Sequence, residues 1–184
     1  MKPNVYAILN ELKQNVEYIS EAQMDALAQK IDHANHIFLT GKGRSGLSIS
    51  AFANRLLHLG YSVSMIGEIS APHTHENDLV IIASGSGETD ALVAIAKKAK
   101  SEQLDLVCLT MNEASTIAQM ADLIVVIPGV SPKVESLKAI SSIQPMGSAF
   151  EQMLFLSLDA LVLSMMDKKG MTSDQMFANH ANIE

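Results

Sequence analysis

The chain has 184 residues, about the size of one ordinary domain, of which 48% are hydrophobic and 18% charged. This composition is too apolar for a disordered chain and predicts a single globular domain over residues 1–184. The formal net charge of -7 argues against binding along a nucleic-acid backbone, which requires a basic surface. It leaves open a small anion held by backbone N–H groups.

Three further features bear on the compartment. The N-terminus, MKPNVYAILNELKQ, lacks the continuous apolar segment of a signal peptide. The apolar stretch MLFLSLDALVLSMM is interrupted by Asp159, so we expect a buried helix rather than a membrane span. Cys108 is the single cysteine, and we expect a buried thiol and no disulfide. We therefore expect a cytoplasmic protein that binds neither membrane nor nucleic acid.

Two helices are predicted within residues 1–34. Apolar residues from Val5 to Ile19 recur every three or four positions, as on one face of an amphipathic helix. Those from Met24 to Ile31 continue the pattern in a second helix.

Five short β-rich segments follow and alternate with helical patterns. They are HIFLT, YSVSM, DLVIIAS, DLVCLT and DLIVVIP. Strands separated by crossover helices form parallel sheets. We therefore predict an α/β fold in three layers, with a doubly wound five-stranded parallel sheet of order 2-1-3-4-5 and the N-terminal helices packed beside it.

Beyond the fifth strand, Gly129 to Ser142 lacks periodicity and is predicted to be a mobile loop. A long apolar helix is expected from about Gly147 to Lys169. Thr172 and Gln175 have capping-box spacing, which predicts a last short helix in the tail 171–184.

Two glycine-rich loops each follow a strand and precede a helix. GKGRSG, at Gly41–Gly46, has dinucleotide-site spacing, and Glu68 lies where a ribose-binding acid would be expected. SGSGET, at Ser84–Thr89, offers hydroxyl and backbone N–H donors at a helix N-terminus, which suit a phosphate monoester. In the predicted strand order both loops face one crevice. The alternative for each loop is a tight turn that needs glycine only for its geometry.

The motifs GKGRSG, RLLHLG, Gly67-Glu68, SGSGET, QPMGSAFEQ and HANIE span nearly the whole chain. In this order they resemble the bacterial 6-phospho-3-hexuloisomerases of the sugar isomerase (SIS) domain family. The resemblance implies a homotetramer with sites at subunit interfaces. It also implies interconversion of 3-hexulose 6-phosphate, a small phosphorylated ketose, with fructose 6-phosphate. It leaves open whether the pathway assimilates formaldehyde through ribulose monophosphate or makes pentoses.

The same resemblance implies roles for individual residues. Phosphate binding falls on the Ser84–Thr89 loop, where Ser84, Ser86 and Thr89 take that role. Gly85, Gly87 and Glu88 of the same loop are also expected to bind substrate. Contact to the sugar falls on Ser45, and Gly43 and Arg44 beside it are also expected to bind substrate. The proton acceptor falls on Glu151, and histidines matching His58 and His180 lie near the site in relatives. His180 would reach the site from a neighbouring subunit, which gives the tail a part in the site.

The expected chemistry moves a carbonyl from C3 to C2 through an enediol. This is acid–base work that needs no redox cofactor and no metal, and one carboxylate can make both transfers at carbon. For Glu151 the alternative is a carboxylate that complements the helix dipole. For His180 it is an unstructured terminal residue, and for His58 a packing residue.

Four other side chains invite an interpretation. Lys42 stands where relatives usually have a small residue, and we expect it to point to solvent. His73 and His75 have H-x-H spacing but no third ligand at a fitting spacing, so we expect a surface loop rather than a metal site. Arg44 is expected to pair with phosphate or with Glu68, unless it forms an ordinary surface ion pair.

Three alternative functions stay open. Another SIS aldose–ketose isomerase, of the arabinose 5-phosphate type, would share the phosphate loop, although such relatives often carry C-terminal regulatory domains. A non-catalytic sugar-phosphate sensor would usually carry a helix-turn-helix, and only about 35 residues precede the first strand here. A nicotinamide dehydrogenase is the third.

Overall fold

The structure is a computed structural model that describes residues 1–132, 134 and 141–183. The strands are β1 (Ile37–Gly41), β2 (Val63–Met65), β3 (Leu79–Ala83), β4 (Asp105–Thr110) and β5 (Leu123–Val126). The helices are α1 (Lys2–Val16), α2 (Glu21–His33), α3 (Gly43–His58), α4 (Asp90–Ser101), α5 (Thr116–Met120), α6 (Ser148–Lys169) and α7 (Ser173–Phe177). The loop expected from Gly129 to Ser142 lies partly outside the described residues.

The strands form one parallel sheet in the order β2-β1-β3-β4-β5, which confirms the predicted topology. β1 lies between β2 and β3, with Ile37 opposite both Val63 and Leu79. The strand order reverses at β1, so the crevice of this doubly wound sheet lies at the carboxyl ends of β1 and β3. There Gly41, the last residue of β1, lies opposite Ala83, the last residue of β3.

Alternate strand residues enter two apolar clusters on opposite faces of the sheet, as the two-residue period of a strand requires. From β3, Leu79 and Ile81 join the cluster that includes α2, α3 and α6. Val80 and Ile82 join the cluster that includes α4 and α5. Helices therefore cover both faces, and the predicted three-layer arrangement is confirmed.

The two N-terminal helices pack on one of these faces. The Ser20 hydroxyl caps α2 by accepting the N–H of Gln23 at 3.3 Å, and Leu27 of α2 is fully buried. α1 lies against α6, but its predicted apolar face is covered unevenly. Leu12 is only 7% exposed, whereas Leu9 is 54% exposed. Part of the apolar surface of α1 is therefore open in a single chain.

Helix α6 carries apolar side chains on all sides. Leu154 and Leu158 are buried in the core, while Phe155 and Leu163 are 42% and 63% exposed on the outer side. By length and composition α6 could cross a membrane, but 50% of its apolar window is buried inside the domain. Exposed apolar faces of packed helices often contact another protein, so the outer face of α6 is a candidate surface for contact between copies.

The tail forms α7, as its capping box predicts. The Thr172 hydroxyl accepts the N–H of Gln175 at 3.3 Å, and the Gln175 side-chain carbonyl accepts the N–H of Thr172 at 2.7 Å. Met176 is buried in the same cluster as α6. The side-chain amide of Asn179 donates to the carbonyl of His58 at 2.9 Å, which ties the end of the tail to the end of α3.

Candidate active site

The two glycine loops lie side by side at the carboxyl ends of β1 and β3. A Cβ on Gly46 would lie 2.9 Å from the Gly41 carbonyl oxygen, and a Cβ on Gly41 would lie 3.1 Å from the Ala83 carbonyl oxygen. These distances leave no room for side chains, so glycine lets α3 begin directly beside both strands. Both loops therefore border one crevice, as the strand order predicts.

The Ser84–Thr89 loop is folded by its own hydroxyl groups. Ser84 Oγ accepts the N–H of Gly87 at 3.1 Å, and Ser86 Oγ accepts the N–H of Glu88 at 3.3 Å. A hydroxyl that accepts in this way still has a proton to donate. Ser84 is buried and shapes the loop through its bond with Gly87, whereas Ser86 and Thr89 are partly exposed.

Residues of β4 and of the turn before α5 hold this loop from behind. Thr110 Oγ1 donates to the carbonyl of Gly85 at 3.0 Å. Gly87 has φ of 66°, and a Cβ on it would lie 2.0 Å from Ser115 Oγ. Its backbone conformation and this contact both exclude a side chain. The conformation of this loop therefore depends on its contacts with Thr110 and Ser115.

Glu88 makes contacts that differ from those expected of a substrate-binding residue. Its carboxylate accepts the backbone N–H and the hydroxyl proton of Thr116, both at 2.7 Å. Thr116 is the first residue of α5, where a negative charge favours the helix N-terminus. These are the contacts of a residue that braces the loop against α5.

Glu151 lies in the first turn of α6, with a side chain that is 18% exposed. Its carboxylate forms an ion pair with Nε of Arg44, in the first turn of α3. Ser48 Oγ lies 3.2 Å from the Glu151 carbonyl oxygen and 3.3 Å from the Arg44 carbonyl oxygen. Arg44 was expected to pair with phosphate or with Glu68. In this structure it pairs with Glu151, which joins the candidate base to a candidate substrate-binding residue.

Phe150 connects this ion pair to the Ser84–Thr89 loop. A Cβ on Gly85 would lie 3.1 Å from the Phe150 ring, so the loop backbone packs against the residue that precedes Glu151. Gly43, Arg44 and Ser45 form the first turn of α3. The N-termini of α3, α4 and α6 therefore meet at one crevice, where the fields of the three helices favour a bound anion.

His58 and His180 form a second group elsewhere in the chain. His58 is 4% exposed, and its ring centroid lies 5.1 Å from that of His180 in a stacked arrangement. His58 ends α3 while Arg44 begins it, which separates the two by about 21 Å along the helix. Within one chain the structure does not bring either histidine to Glu151.

The remaining candidates lie apart from the ion pair. His73 and His75 belong to the segment between β2 and β3, with ring centroids 5.4 Å apart. In the described part of the chain no group of three metal-ligating side chains forms. Lys42 and Glu68 are exposed. Burial raises the pKa of the Cys108 thiol to about 12, which keeps it protonated and unreactive.

Two residues that hold the site were missed by the sequence analysis. Ser48 links α3 to α6, and it follows Arg44 by one helical turn, a spacing that places both on one face. Thr110 supports the Ser84–Thr89 loop from the end of β4. The signal for it was the predicted strand order: because β4 neighbours β3, the last residue of β4 lies beside the loop that follows β3.

Known proteins resemble this chain in sequence. The SIS domain family matches residues 30–156, which include both glycine loops and Glu151. The 3-hexulose-6-phosphate isomerase of Bacillus subtilis is 49% identical over 186 residues, covering 100% of both chains. The 3-hexulose-6-phosphate isomerase of Methylomonas aminofaciens is 36% identical, covering 96% of both chains.

A solved structure also resembles this chain over nearly its whole length. A Methanococcus jannaschii protein, whose structure is described as implying the function of a 3-hexulose-6-phosphate isomerase, matches with a TM-score of 0.84. It is 26% identical and the match covers 99% of both chains. The family match and these full-length similarities lead to one conclusion: the chain belongs to the SIS domain family.

Proposed function

We propose that this protein is a 3-hexulose-6-phosphate isomerase, which interconverts 3-hexulose 6-phosphate and fructose 6-phosphate through an enediol. The observation that carries the proposal is the Glu151–Arg44 ion pair beside the braced phosphate loop. It combines a carboxylate able to take a proton, a cation able to stabilise an oxyanion and an anion site, all at one crevice. Full-length similarity to isomerases of this name supports the same reaction.

In this proposal the substrate phosphate binds at the Ser84–Thr89 loop. Ser86 and Thr89 donate their hydroxyl protons, and the N-terminus of α4 supplies backbone N–H groups. Because the glycines keep this part of the loop free of side chains, the phosphate can approach the backbone closely. Ser45, in the first turn of α3, contacts the sugar hydroxyls on the other side of the crevice.

Glu151 makes both proton transfers at carbon. It removes the proton from C2 while the C3 carbonyl oxygen gains a proton, which yields the 2,3-enediol. The O2 hydroxyl then loses its proton as C3 accepts one from Glu151, which leaves the carbonyl at C2. Arg44 orients the carboxylate and stabilises negative charge on the enediol oxygens. Protons and electrons balance without a redox cofactor, and no step requires a metal.

The histidines enter this proposal through a neighbouring subunit. His180 stacks on His58, which is the last residue of its own α3. Along that helix, His58 lies about 21 Å from Arg44. A proton relay between the sugar oxygens needs direct contact or one water. We therefore propose that His180, supported by His58, serves the Glu151 of an adjacent copy.

Exposed apolar surface supports such an assembly, which we propose to be a cytoplasmic homotetramer with sites at its subunit interfaces. Phe155 and Leu163 on the outer side of α6 and Leu9 on α1 are each more than 40% exposed in one chain: 42%, 63% and 54%. Apolar patches of this kind mark protein–protein contacts. The outer face of α6 lies between the Glu151 end and the His180 end, so a copy packed there reaches both.

The direct test is conversion of 3-hexulose 6-phosphate to fructose 6-phosphate by the purified protein, run beside isomerisation of arabinose 5-phosphate. We expect product from the hexulose phosphate at a kcat/KM at least about 100-fold higher than from the pentose phosphate. Preference for arabinose 5-phosphate would move the protein to the other isomerase class. Tight sugar-phosphate binding with no product from either substrate would make it a sensor.

A further inference from the structure

The segment that leads into α6 is held by a residue outside the predicted site. Glu11, on α1, accepts the Ser142 hydroxyl proton at 2.6 Å, the N–H of Ile143 at 2.9 Å and the side-chain N–H of Gln144 at 3.1 Å. These three donors are consecutive along the chain. One carboxylate therefore fixes the direction in which the segment approaches the catalytic helix.

The same segment contains an unfavourable backbone conformation. Met146 has φ of 56°, in the left-handed region that residues with a side chain rarely adopt. Such residues persist where the surrounding structure determines their conformation, and they are common near active sites. Met146 itself is 77% exposed, so its own side chain contributes little packing to hold it. The constraint comes from the backbone on either side.

The turn passes this constraint directly to Glu151. The carbonyl of Pro145 accepts the N–H of Ser148 at 3.2 Å, and the carbonyl of Gly147 accepts the N–H of Glu151 at 3.0 Å. The first turn of α6 therefore begins from the segment that Glu11 holds. A shift of that segment tilts the turn that carries the Glu151 carboxylate.

We propose that Glu11 is a positioning residue for Glu151, which acts through the left-handed turn at Met146 and does not contact substrate. The proposal rests on the isomerase function proposed above. It assigns to α1 a part in the active site, although α1 precedes the matched region of residues 30–156. It also predicts an effect on catalysis that is separate from substrate binding, because the phosphate loop makes none of these contacts.

The test compares Glu11→Gln with Glu17→Gln, which removes an equal charge from an exposed residue at the end of α1. For Glu11→Gln we expect kcat to fall by about 10-fold, because small displacements of a catalytic group are costly, with KM within about 2-fold. Glu17→Gln should match the unmodified protein in both constants. A rise in KM at unchanged kcat, or equal kcat in the two variants, would overturn the proposal.

A second measurement does not depend on the reaction. Hydrogen–deuterium exchange of peptides that cover residues 142–151 should be faster in Glu11→Gln than in Glu17→Gln, while peptides that cover 84–89 should be unchanged. If the protein does not turn over the hexulose phosphate, the proposed function fails, but this exchange comparison still decides the role of Glu11. Equal exchange across residues 142–151 in the two variants rejects it.

A milder variant covers the case in which Glu11→Gln folds poorly. Ser142→Ala removes one of the three donors and leaves the carboxylate in place. We expect a loss of kcat smaller than the roughly 10-fold loss expected for Glu11→Gln, with KM unchanged, because two of the three donors remain. Unchanged kcat in Ser142→Ala would contradict the proposal.

Discussion

The two ends of helix α3 carry residues that were expected to act together, and the structure surrounds them differently. At the Gly43 end, Arg44 pairs with Glu151 and Ser48 bridges the two backbones. At the other end, His58 and His180 stack on each other beside exposed apolar side chains such as Phe177 and Leu163. One end joins a carboxylate, a guanidinium and a hydroxyl within a single chain. The other end places two histidines beside exposed apolar side chains.

The length of α3 separates the Arg44–Glu151 pair from the two histidines within one chain. A rigid helix keeps the two groups about 21 Å apart, so no side-chain motion within the chain brings them together. In the proposed assembly, a symmetric pair of copies would bring the His58 end of one α3 to the Gly43 end of the other.

Glu151→Gln gives the largest expected effect. The amide keeps the shape of the side chain but cannot accept the C2 proton, so we expect kcat to fall by about 1,000-fold. Because Arg44 has a side chain that is 61% exposed, the loss of its partner leaves no buried charge, and the melting temperature should hardly change. Turnover and thermal unfolding measured on the same sample check both statements. Near-normal turnover would remove Glu151 from the mechanism.

Gly87→Ala should damage the phosphate loop, since the added Cβ would lie 2.0 Å from Ser115 Oγ. Gly170→Ala is a matched control, because Gly170 has φ of 60° and an open space around it, so only backbone strain of about 1 kcal/mol applies. We expect Gly87→Ala to weaken binding of inorganic phosphate by at least about 10-fold and Gly170→Ala to leave it unchanged. Equal phosphate binding in the two variants would contradict the assigned anion site.

His180→Ala tests the relation between the two ends of α3. We expect kcat to fall by about 10- to 100-fold, as for loss of a proton-transfer group. Co-expression of His180→Ala with Glu151→Gln should then restore about a quarter of normal activity, because half of random pairs are mixed and each mixed pair has one complete site. Activity no higher than the average of the two variants would place both residues in the same chain's site.

The Gly43 end shows how much of a site the sequence can predict. Strand order follows from short apolar segments that alternate with helices, and it places the two glycine loops together. The role of Arg44 was only partly predictable, because its partner depends on how α6 packs against α3. The contacts of Glu88 were not predictable for a related reason: the motif gives its position in the loop, but the packing of α5 decides which groups its carboxylate meets.

The His180 end marks what a single chain's sequence leaves undetermined. The capping box at Thr172 predicts α7 correctly because it is a local pattern. The stacking of His180 on His58 is a contact over more than a hundred positions, which no local pattern encodes. Leu9 illustrates the same limit, since helical periodicity predicts that it lies on the apolar face of α1 but not what covers that face, and it is 54% exposed.

The smallest expected effect is the change with pH in the stability that Glu11 contributes through its contacts to the segment before α6. Burial opposes ionisation of Glu11, but hydrogen bonds from Ser142, Ile143 and Gln144 outweigh it and lower the pKa of Glu11 below its ordinary value of 4.5. A carboxyl with a lowered pKa stabilises the fold above its ordinary value, and this contribution is lost as the pH falls through the lowered pKa. Glu11→Gln should therefore be less stable than the unmodified protein at pH 7, by about 1–2 kcal/mol. This difference in the free energy of unfolding should become smaller below about pH 4.5.

Urea unfolding of both proteins at several pH values measures the difference. A difference that stays constant down to about pH 3 would show that the ionised carboxylate does not hold the turn.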